Sequence, residues 1–507
     1  MTALAYSKNY ENFLANLISA PFSRLAKTFK TTNYGYLYDL GTGKVLQCED
    51  NVYSLLKLLE KGVTLKEINL LDSDTAAAVE VLMEAYSKEN VLQAKPVTSL
   101  SGKHTSYLEN PSNYKINHLC FEVTQRCNLR CSYCIYHDNN TKFRDFGQED
   151  MDFSVAKKAI DYVFEYGNSE KLVFGFYGGE PLIKFDLIKA CVDYIKSKGE
   201  RETFFSLTTN GTLLTKEMAE YFASMPNFAL VFSLDGDKQS HDEHRLFKNG
   251  GGTFDAAFRG FNYALDAYKD SALLSINAVI SPPYDNAKLE RLQKFFKTTL
   301  GDNIQLQYTY AEYNNPIDDN NYLSVIEEAT KTDRSTRSPL LVWQQKSNVN
   351  EKESLFTWSG VIHRFLFIHN RLITDEPISW YIFNGCCIPG GRKLYLSTDG
   401  NYHVCERVGN APPIGNINDG LRYDIIKKEY IEDYMNKSLH DCNACWAANL
   451  CGLCYSHCYD DNGFNLAKKR VECGNQRFSI EEMLVYYHQI LEENPESLEF
   501  LNTITMR

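Results

Sequence analysis

Cys127-Asn-Leu-Arg-Cys131-Ser-Tyr-Cys134 decides the reading of this chain. It places three thiols at spacings of four and three residues just after an apolar segment, 119–123, that reads as a strand. A cubane iron–sulfur cluster has four irons, so three thiolates hold it and leave one iron with an open coordination position. Three nearby thiols with a distant fourth ligand would also suit structural zinc, and these eight residues alone leave both readings open.

The sequence downstream favours the cluster. Phe176-Tyr-Gly-Gly-Glu-Pro181, Thr208-Thr-Asn-Gly-Thr212 and Ser233-Leu-Asp-Gly236 follow in order, each at the end of a segment with strand character. From residue 152 onward, strand-like segments at 172–177, 204–208, 229–234, 273–280 and 304–310 alternate with amphipathic stretches; 119–123 makes a sixth. Alternating strands and crossover helices require a parallel sheet, which gathers the loops that carry these motifs at its carboxyl edge. Gly250-Gly251-Gly252 lacks the Lys-Ser/Thr ending of a phosphate loop and reads as a turn before a helix starting near Thr253.

With Tyr133 just before the last cysteine, the octet resembles the CX3CXΦC signature of radical S-adenosylmethionine (SAM) enzymes, and the resemblance extends over about residues 118–475. It implies an α/β fold with a partial (β/α)6 barrel and a [4Fe–4S] cluster on Cys127, Cys131 and Cys134, whose open iron chelates SAM. It also implies that reductive cleavage of SAM gives a 5′-deoxyadenosyl radical able to abstract hydrogen from an inert C–H bond. By the same resemblance Gly178, Gly179 and Glu180 lie near the methionyl amino group and Tyr133 contacts the adenine. Ser233 reaches the ribose or the carboxylate, Arg245 pairs with that carboxylate, and Asn210 is a further contact.

Nine more cysteines lie between Cys386 and Cys473. Cys387, Gly400 and Cys405, followed by Cys442-X2-Cys445-X5-Cys451, match the SPASM extension of radical SAM enzymes, which holds two auxiliary [4Fe–4S] clusters and so implies three clusters in all. On this pattern Cys442, Cys445, Cys451 and Cys473 ligate the outer cluster, while Cys387, Cys405 and Cys454 hold the inner one. The chain departs from the family where Cys451-Gly-Leu-Cys454 is followed by an additional Cys458. The fourth inner ligand is therefore open between Cys386, Cys458 and a substrate thiolate. A C-terminal zinc ribbon is the alternative.

Upstream of the barrel, residues 34–40 and 44–48 around the Gly41-Thr-Gly43 turn read as a hairpin. Helical patterns follow at 52–59, 65–71 (after Thr64 as N-cap) and 74–86. A hairpin with three helices resembles the winged-helix-like recognition domain fused to maturases of ribosomally made peptides, in which an edge strand accepts a leader peptide; a cap without a ligand is the alternative. The expected organisation is a helical arm at 1–33, the recognition domain at 34–94, a linker at 95–116 and the barrel at 117–311. A bridging region at 312–385 (with helical character at 358–372), the SPASM domain at 386–475 and a C-terminal helix at 476–507 complete it.

The bulk properties agree with an enzyme of small or peptide substrates. The chain has 507 residues, and 53 basic against 65 acidic side chains give a formal charge of −12, which argues against nucleic acid or a membrane surface as partner. No apolar run reaches spanning length, no cleaved signal is evident, and fifteen cysteines in such a chain point to metal sites in a reducing compartment, so a cytoplasmic location is expected. Cys48, Cys120 and Cys191 fall outside the clusters and read as small buried hydrophobes.

The resemblance implies a maturase of a ribosomally synthesised precursor peptide, supplied with electrons by a flavodoxin- or ferredoxin-like donor. Its expected product is an intramolecular thioether, as in sactipeptide and ranthipeptide synthases. Carbon–carbon cross-linking, epimerisation and sulfatase maturation are rivals within the class; a non-catalytic iron–sulfur protein that binds peptide or carries electrons is the rival outside it.

Overall fold

The computed structural model describes residues 3–311 and 365–504, apart from residues 71, 111–113, 137–145, 168, 200, 269–270, 282–285, 300–303, 384 and 409–410. Most of the expected bridging region lies outside the described residues, as does its helical stretch before residue 365.

At the N-terminus a helix, Ala3–Ile18, and a short turn, Phe22–Leu25, lead into a three-stranded antiparallel sheet in the order β1 (Ala26–Lys30), β2 (Gly35–Asp39), β3 (Val45–Cys48). The hairpin β2–β3 is the one read from the sequence. β1 corrects the boundary at residue 33, because Ala26-Lys-Thr-Phe-Lys30 is too short and too basic to announce itself as a strand. Its lysine is accommodated by distant partners, Lys27 Nζ lying 2.8 Å from Glu60 and 3.3 Å from Glu481. Helices Asp50–Glu60 and Ser73–Glu89 cover the sheet much as expected. The stretch 65–71 is a single turn, Leu65–Glu67, rather than a helix. Its start is fixed by Glu67, which accepts from both the amide and the hydroxyl of Thr64, but after Ile68 the chain is extended and Asp72 caps the next helix.

The expected linker is also structured. Ser99–Ser101 (β4) pairs in parallel with Trp380–Ile382 (β11), and a helix spans Lys103–Glu109. A two-stranded pairing across some 280 residues leaves no local signal, so the polar, proline-containing stretch gave no sign of it.

The centre is a parallel sheet of β5 (His118–Thr124), β6 (Lys171–Gly178), β7 (Glu202–Thr209), β8 (Phe228–Ser233), β9 (Leu274–Ile280) and β10 (Gln305–Tyr310), adjacent in chain order. These are the six expected barrel strands. Beyond β5 the C-terminal segment continues the same sheet: β12 (Lys393–Leu396) pairs in parallel with β5, and β13 (Asn401–His403), β14 (Gly415–Asn416) and β15 (Gly420–Leu421) follow antiparallel. The cysteine-rich extension is thereby rigidly joined to the barrel. The chain ends in a helix of 28 residues, Leu466–Glu493, which runs through the boundary expected at 475 and carries Cys473 on its second turn. Among the described residues no helix is long and apolar enough to cross a membrane.

The barrel strands bury one face completely and leave the other half open. Leu119, Phe121, Phe174, Phe205, Leu230 and Ile276 pack against the helices, whereas the alternate residues Ser206, Thr208, Ala229, Ser233, Ser275 and Asn277 are half-buried. The dry core lies outside the sheet, and on the other, chamber face these small and polar side chains alternate with the half-buried Val173, Tyr177, Phe204, Val231 and Val279.

The N-terminal sheet docks on the C-terminal helix. Glu492 accepts from Thr31, Asn33 and Tyr36, and Phe29 and Tyr36, stacked on each other, meet the His488 ring at a tilt. Inside this unit the fully buried Asp39 takes the amide and hydroxyl of Thr42 with one oxygen and the amide of Leu92 with the other. Removing that carboxylate orphans buried donors, so Asp39→Ala should lower stability by about 2–4 kcal/mol, read as a fall in the urea midpoint, and Asp39→Asn by less.

Candidate functional site

The loop that carries the three cysteines leaves β5 and is clamped by the backbone at the end of β6. Gly179 N donates to Thr124 O and Glu180 N to Arg126 O, each at 2.8 Å. A side chain has no room here: a Cβ on Gly179 would lie 2.1 Å from Arg126 O, and one on Gly178, whose φ is +138°, 2.3 Å from Thr124 O. The two glycines thus serve the approach of two strand ends. Glu180 is buried, and its carboxylate accepts from Thr209 Oγ1 (2.7 Å), Asn210 N (2.8 Å) and Leu182 N (3.1 Å). Expected as an acceptor for an ammonium, it is first a bracket tying β6 to β7, and burial pushes its carboxyl above the usual range against those three donors.

The thiols lie among N–H groups. Leu129 N points at Cys127 Sγ from 3.4 Å, Asn210 Nδ2 is 4.0 Å from the same sulfur, and Arg245 Nη1 is 4.0 Å from Cys131 Sγ. Cys127 faces Cys131, and Cys131 faces Cys134. Burial pushes both Cys127 and Cys131 up to about 12 as free thiols, so thiolates here need a strong electropositive partner, which iron coordination supplies. A donor set of three sulfurs, Cys131 adjoining both Cys127 and Cys134, with N–H groups beside Cys127 and Cys131, fits a cluster. Among the described residues no three Cys, His, Asp or Glu side chains close around a single ion.

Arg245 and Tyr133 have a partner that sequence reasoning missed. Asp235, in Ser233-Leu-Asp-Gly236, is 3 % exposed; its Oδ2 accepts from Arg245 Nε at 2.9 Å and from the Tyr133 hydroxyl, and its Oδ1 from Val279 N at 2.9 Å. The guanidinium lies 5.6 Å from the Tyr133 ring centre. The Tyr133 hydroxyl is therefore held by Asp235, and Arg245 is an anchored cation beside Cys131. Arg245 is held further by His241, which bonds Thr253 Oγ1, which in turn donates to Arg245 O. Asn210 bonds Asn128 and Thr212, bridging the β7 exit to the cysteine loop. Ser233 is half-buried at the end of β8, on the chamber face.

In the second array Cys442 and Cys451 adjoin each other and also Cys445 and Cys473. Cys387 and Cys405 face Cys454. Cys386 and Cys458 are buried between these groups, each adjoining Cys454 and Cys451; Cys386 Sγ bonds Leu453 O and Cys458 Sγ bonds Cys454 O, both at 3.4 Å. Beside Cys405, Glu406 forms an ion pair of 2.5 Å with Lys393; burial alone would raise its carboxyl, but Lys393 and Arg407 hold it below the usual range. Tyr177 on the chamber face adjoins both Cys134 and Glu406, and burial and these anionic neighbours push its phenol upward. Tyr177 thus lies within electrostatic reach of Cys134 in the first array and of Glu406, the chain neighbour of Cys405 in the second. Lys393 and Glu406 carry no motif; Tyr177 lies inside the stretch Phe176–Pro181, and strand alternation puts it on the inner face.

Two variants test this geometry. Gly179→Ala should displace the cysteine loop and weaken SAM binding at least about tenfold, equivalent to ~1.4 kcal/mol, measured by equilibrium dialysis on reconstituted protein. Asp235→Ala leaves Arg245 buried without its carboxylate and should cost roughly 3–5 kcal/mol of stability, seen as a lowered urea midpoint.

Comparison with known proteins agrees with this geometry. Residues 121–296 match the Radical SAM superfamily. The chain is 25% identical over 349 residues to a cysteine-type anaerobic sulfatase-maturating enzyme of Clostridium novyi, covering 66% of this chain and 86% of that one. It is 28% identical over 306 residues to an uncharacterised protein of Methanocaldococcus jannaschii, covering 60% and 90%. Among solved structures, anSMEcpe with bound AdoMet superposes with a TM-score of 0.51 at 19% identity, covering 77% of this chain and all of that one, which shows a shared fold. Residues 121–296, which carry the cysteine loop, the glycine clamp and most of the parallel half-barrel, thus form a Radical SAM domain within this chain.

Proposed function

We propose that this radical SAM enzyme modifies a ribosomally synthesised precursor peptide, forming an intramolecular thioether from a cysteine thiol to carbon. The observation that carries the reading is Tyr177, which adjoins Cys134 of the first array and Glu406 beside Cys405 of the second, so a peptide in the chamber would lie between the two. On this reading Cys127, Cys131 and Cys134 hold the first [4Fe–4S] cluster. Cys442, Cys445, Cys451 and Cys473 hold an outer auxiliary cluster, and Cys387, Cys405 and Cys454 hold an inner one. SAM bound at the first cluster supplies a 5′-deoxyadenosyl radical that takes hydrogen from an unactivated carbon. Arg245, fixed through Nε by Asp235, keeps its terminal nitrogens for the SAM carboxylate. The small and polar side chains of the inner face, Ser206, Thr208, Ser233 and Asn277, leave room for an extended peptide.

The N-terminal sheet supports leader binding. β3 pairs on one side only, with β2. Asp39 N bonds Lys44 O, so by antiparallel alternation the pair Leu37–Leu46 also bonds and the backbone groups of Val45 and Gln47 point to the open edge. An added strand would use those groups. Gln47→Pro removes one outward N–H and should weaken binding of a leader peptide about tenfold by fluorescence anisotropy; unchanged affinity would place the leader elsewhere.

A second reading, oxidation of a cysteine side chain in a sulfatase-type substrate, is favoured by the Clostridium novyi relative, which this chain matches over most of its length. One anaerobic experiment separates the readings. The reconstituted protein is given SAM, a strong reductant and the cysteine-containing precursor encoded beside its gene, and 5′-deoxyadenosine and peptide mass are followed together. Thioether formation removes two hydrogens per bond and protects a cysteine from alkylation. Exchange of sulfur for oxygen at a cysteine would support the second reading, and uptake of solvent deuterium alone would indicate epimerisation. Replacing Cys127, Cys131 and Cys134 together by Ala should abolish deoxyadenosine formation.

A further inference from the structure

Lys469 stands out among the buried side chains. It is 2 % exposed on the helix Leu466–Glu493, one turn before Cys473 and on the same face. Its Nζ lies 3.6 Å from Cys442 Sγ and 5.7 Å from the Tyr434 ring centre, and the other charges it meets are the sulfurs of Cys473, Cys451 and Cys458. Among the described residues no carboxylate stands within ion-pair distance of it. The acidic group on that side, Asp441, is occupied by Arg470 at 2.6 and 2.9 Å.

The contrast with the inner array is instructive. Lys393 near Cys405 is matched by Glu406 at 2.5 Å, so that lysine is neutralised by its neighbour. Among the described residues, Lys469 meets only cysteine sulfurs and the Tyr434 ring. Burying an ammonium is costly unless an anion compensates it. The compensation available here is the thiolate set of Cys442, Cys445, Cys451 and Cys473. A cubane with four thiolates is a net anion, and it gains one more negative charge on reduction.

We propose that Lys469 is a positioning residue for the outer auxiliary cluster: a buried ammonium, donating to Cys442 Sγ, that raises the cluster's reduction potential by stabilising its reduced form. The inference rests on the reading that Cys442, Cys445, Cys451 and Cys473 hold a [4Fe–4S] cluster. Arg477, the other cation near Cys473, stands on the half-buried side of the helix and serves as a comparison.

The test is a redox titration of the full-length, anaerobically reconstituted protein followed by electron paramagnetic resonance. The outer-cluster signal is assigned by its loss in Cys445→Ala. In Lys469→Met the midpoint of that signal should fall by at least a tenfold change in the one-electron equilibrium, ~59 mV, with the other signals in place. Lys469→Arg should retain most of the native potential, and Arg477→Met should move it less than Lys469→Met does. Lys469→Gln keeps an N–H donor without the charge and covers the case in which the Met variant fails to fold; its midpoint must also fall. An unchanged midpoint in the neutral variants, or an equal shift of every signal, would overturn the proposal. Loss of the outer cluster's iron from both neutral variants but not from Lys469→Arg would assign Lys469 to assembly instead of potential. If the wild-type protein carries no cluster that depends on Cys445, the ligand reading itself fails, and iron analysis separates that outcome from the others.

Discussion

The approach of the β6 exit to the β5 exit is the constraint on which the rest of the site depends. Two amide-to-carbonyl bonds of 2.8 Å, Gly179 to Thr124 and Glu180 to Arg126, fix where the chain turns into Cys127. The approach is possible only because neither Gly178 nor Gly179 carries a Cβ. Glu180 then carries the restraint to β7 through Thr209 and Asn210, and Asn210 returns it to the cysteine loop through Asn128. Asp235 performs the corresponding task at β8, fixing Tyr133 from the cysteine loop and Arg245 from the following segment. Four strand ends are thus cross-braced by side chains and amides around the three sulfurs, and a cluster would be received by a frame that needs little further ordering.

The same logic explains what could be read from the sequence. Each barrel strand has an apolar helix-facing set and ends in a glycine- or asparagine-bearing turn, so period and punctuation coincide. The cysteines at 442, 445, 451 and 454 are close in sequence and so were legible as a group, whereas Cys473 adjoins them from the terminal helix. β1 and the β4–β11 pair were not legible, since their stability comes from partners far along the chain: Glu481 for Lys27, Ser379 for Thr98. At the site, motif matching placed Tyr133, Glu180 and Arg245 but could not anticipate that each spends a polar group on a neighbour within the protein. Asp235 was overlooked although it sits inside a motif, because a motif names residue types and not the bonds between them.

Sulfur adds a further consideration. Burial opposes the thiolate at Cys405 and Cys451, which are pushed up to about 12, and at Cys442, pushed up to about 11. Such thiols stay neutral near pH 7, and a metal that took them up as thiolates would have to supply the compensating charge. The N–H groups of Leu129 and Asn210, the guanidinium of Arg245 and the ammonium of Lys469 are distributed to share it.

That distribution is uneven, and the unevenness has chemical content. Arg245 beside the first array is balanced by Asp235, and Lys393 beside the inner array by Glu406, so each of those cations is compensated within the protein. A compensated cation contributes a local field but little net charge, and its effect on a nearby redox centre is correspondingly small. An ammonium in a dry site whose nearest partner is a ligand sulfur contributes both, and it is felt most strongly by the state that carries the extra electron. If clusters occupy both C-terminal cysteine groups, as proposed above, such an asymmetry would give them different electron affinities with the same ligand chemistry.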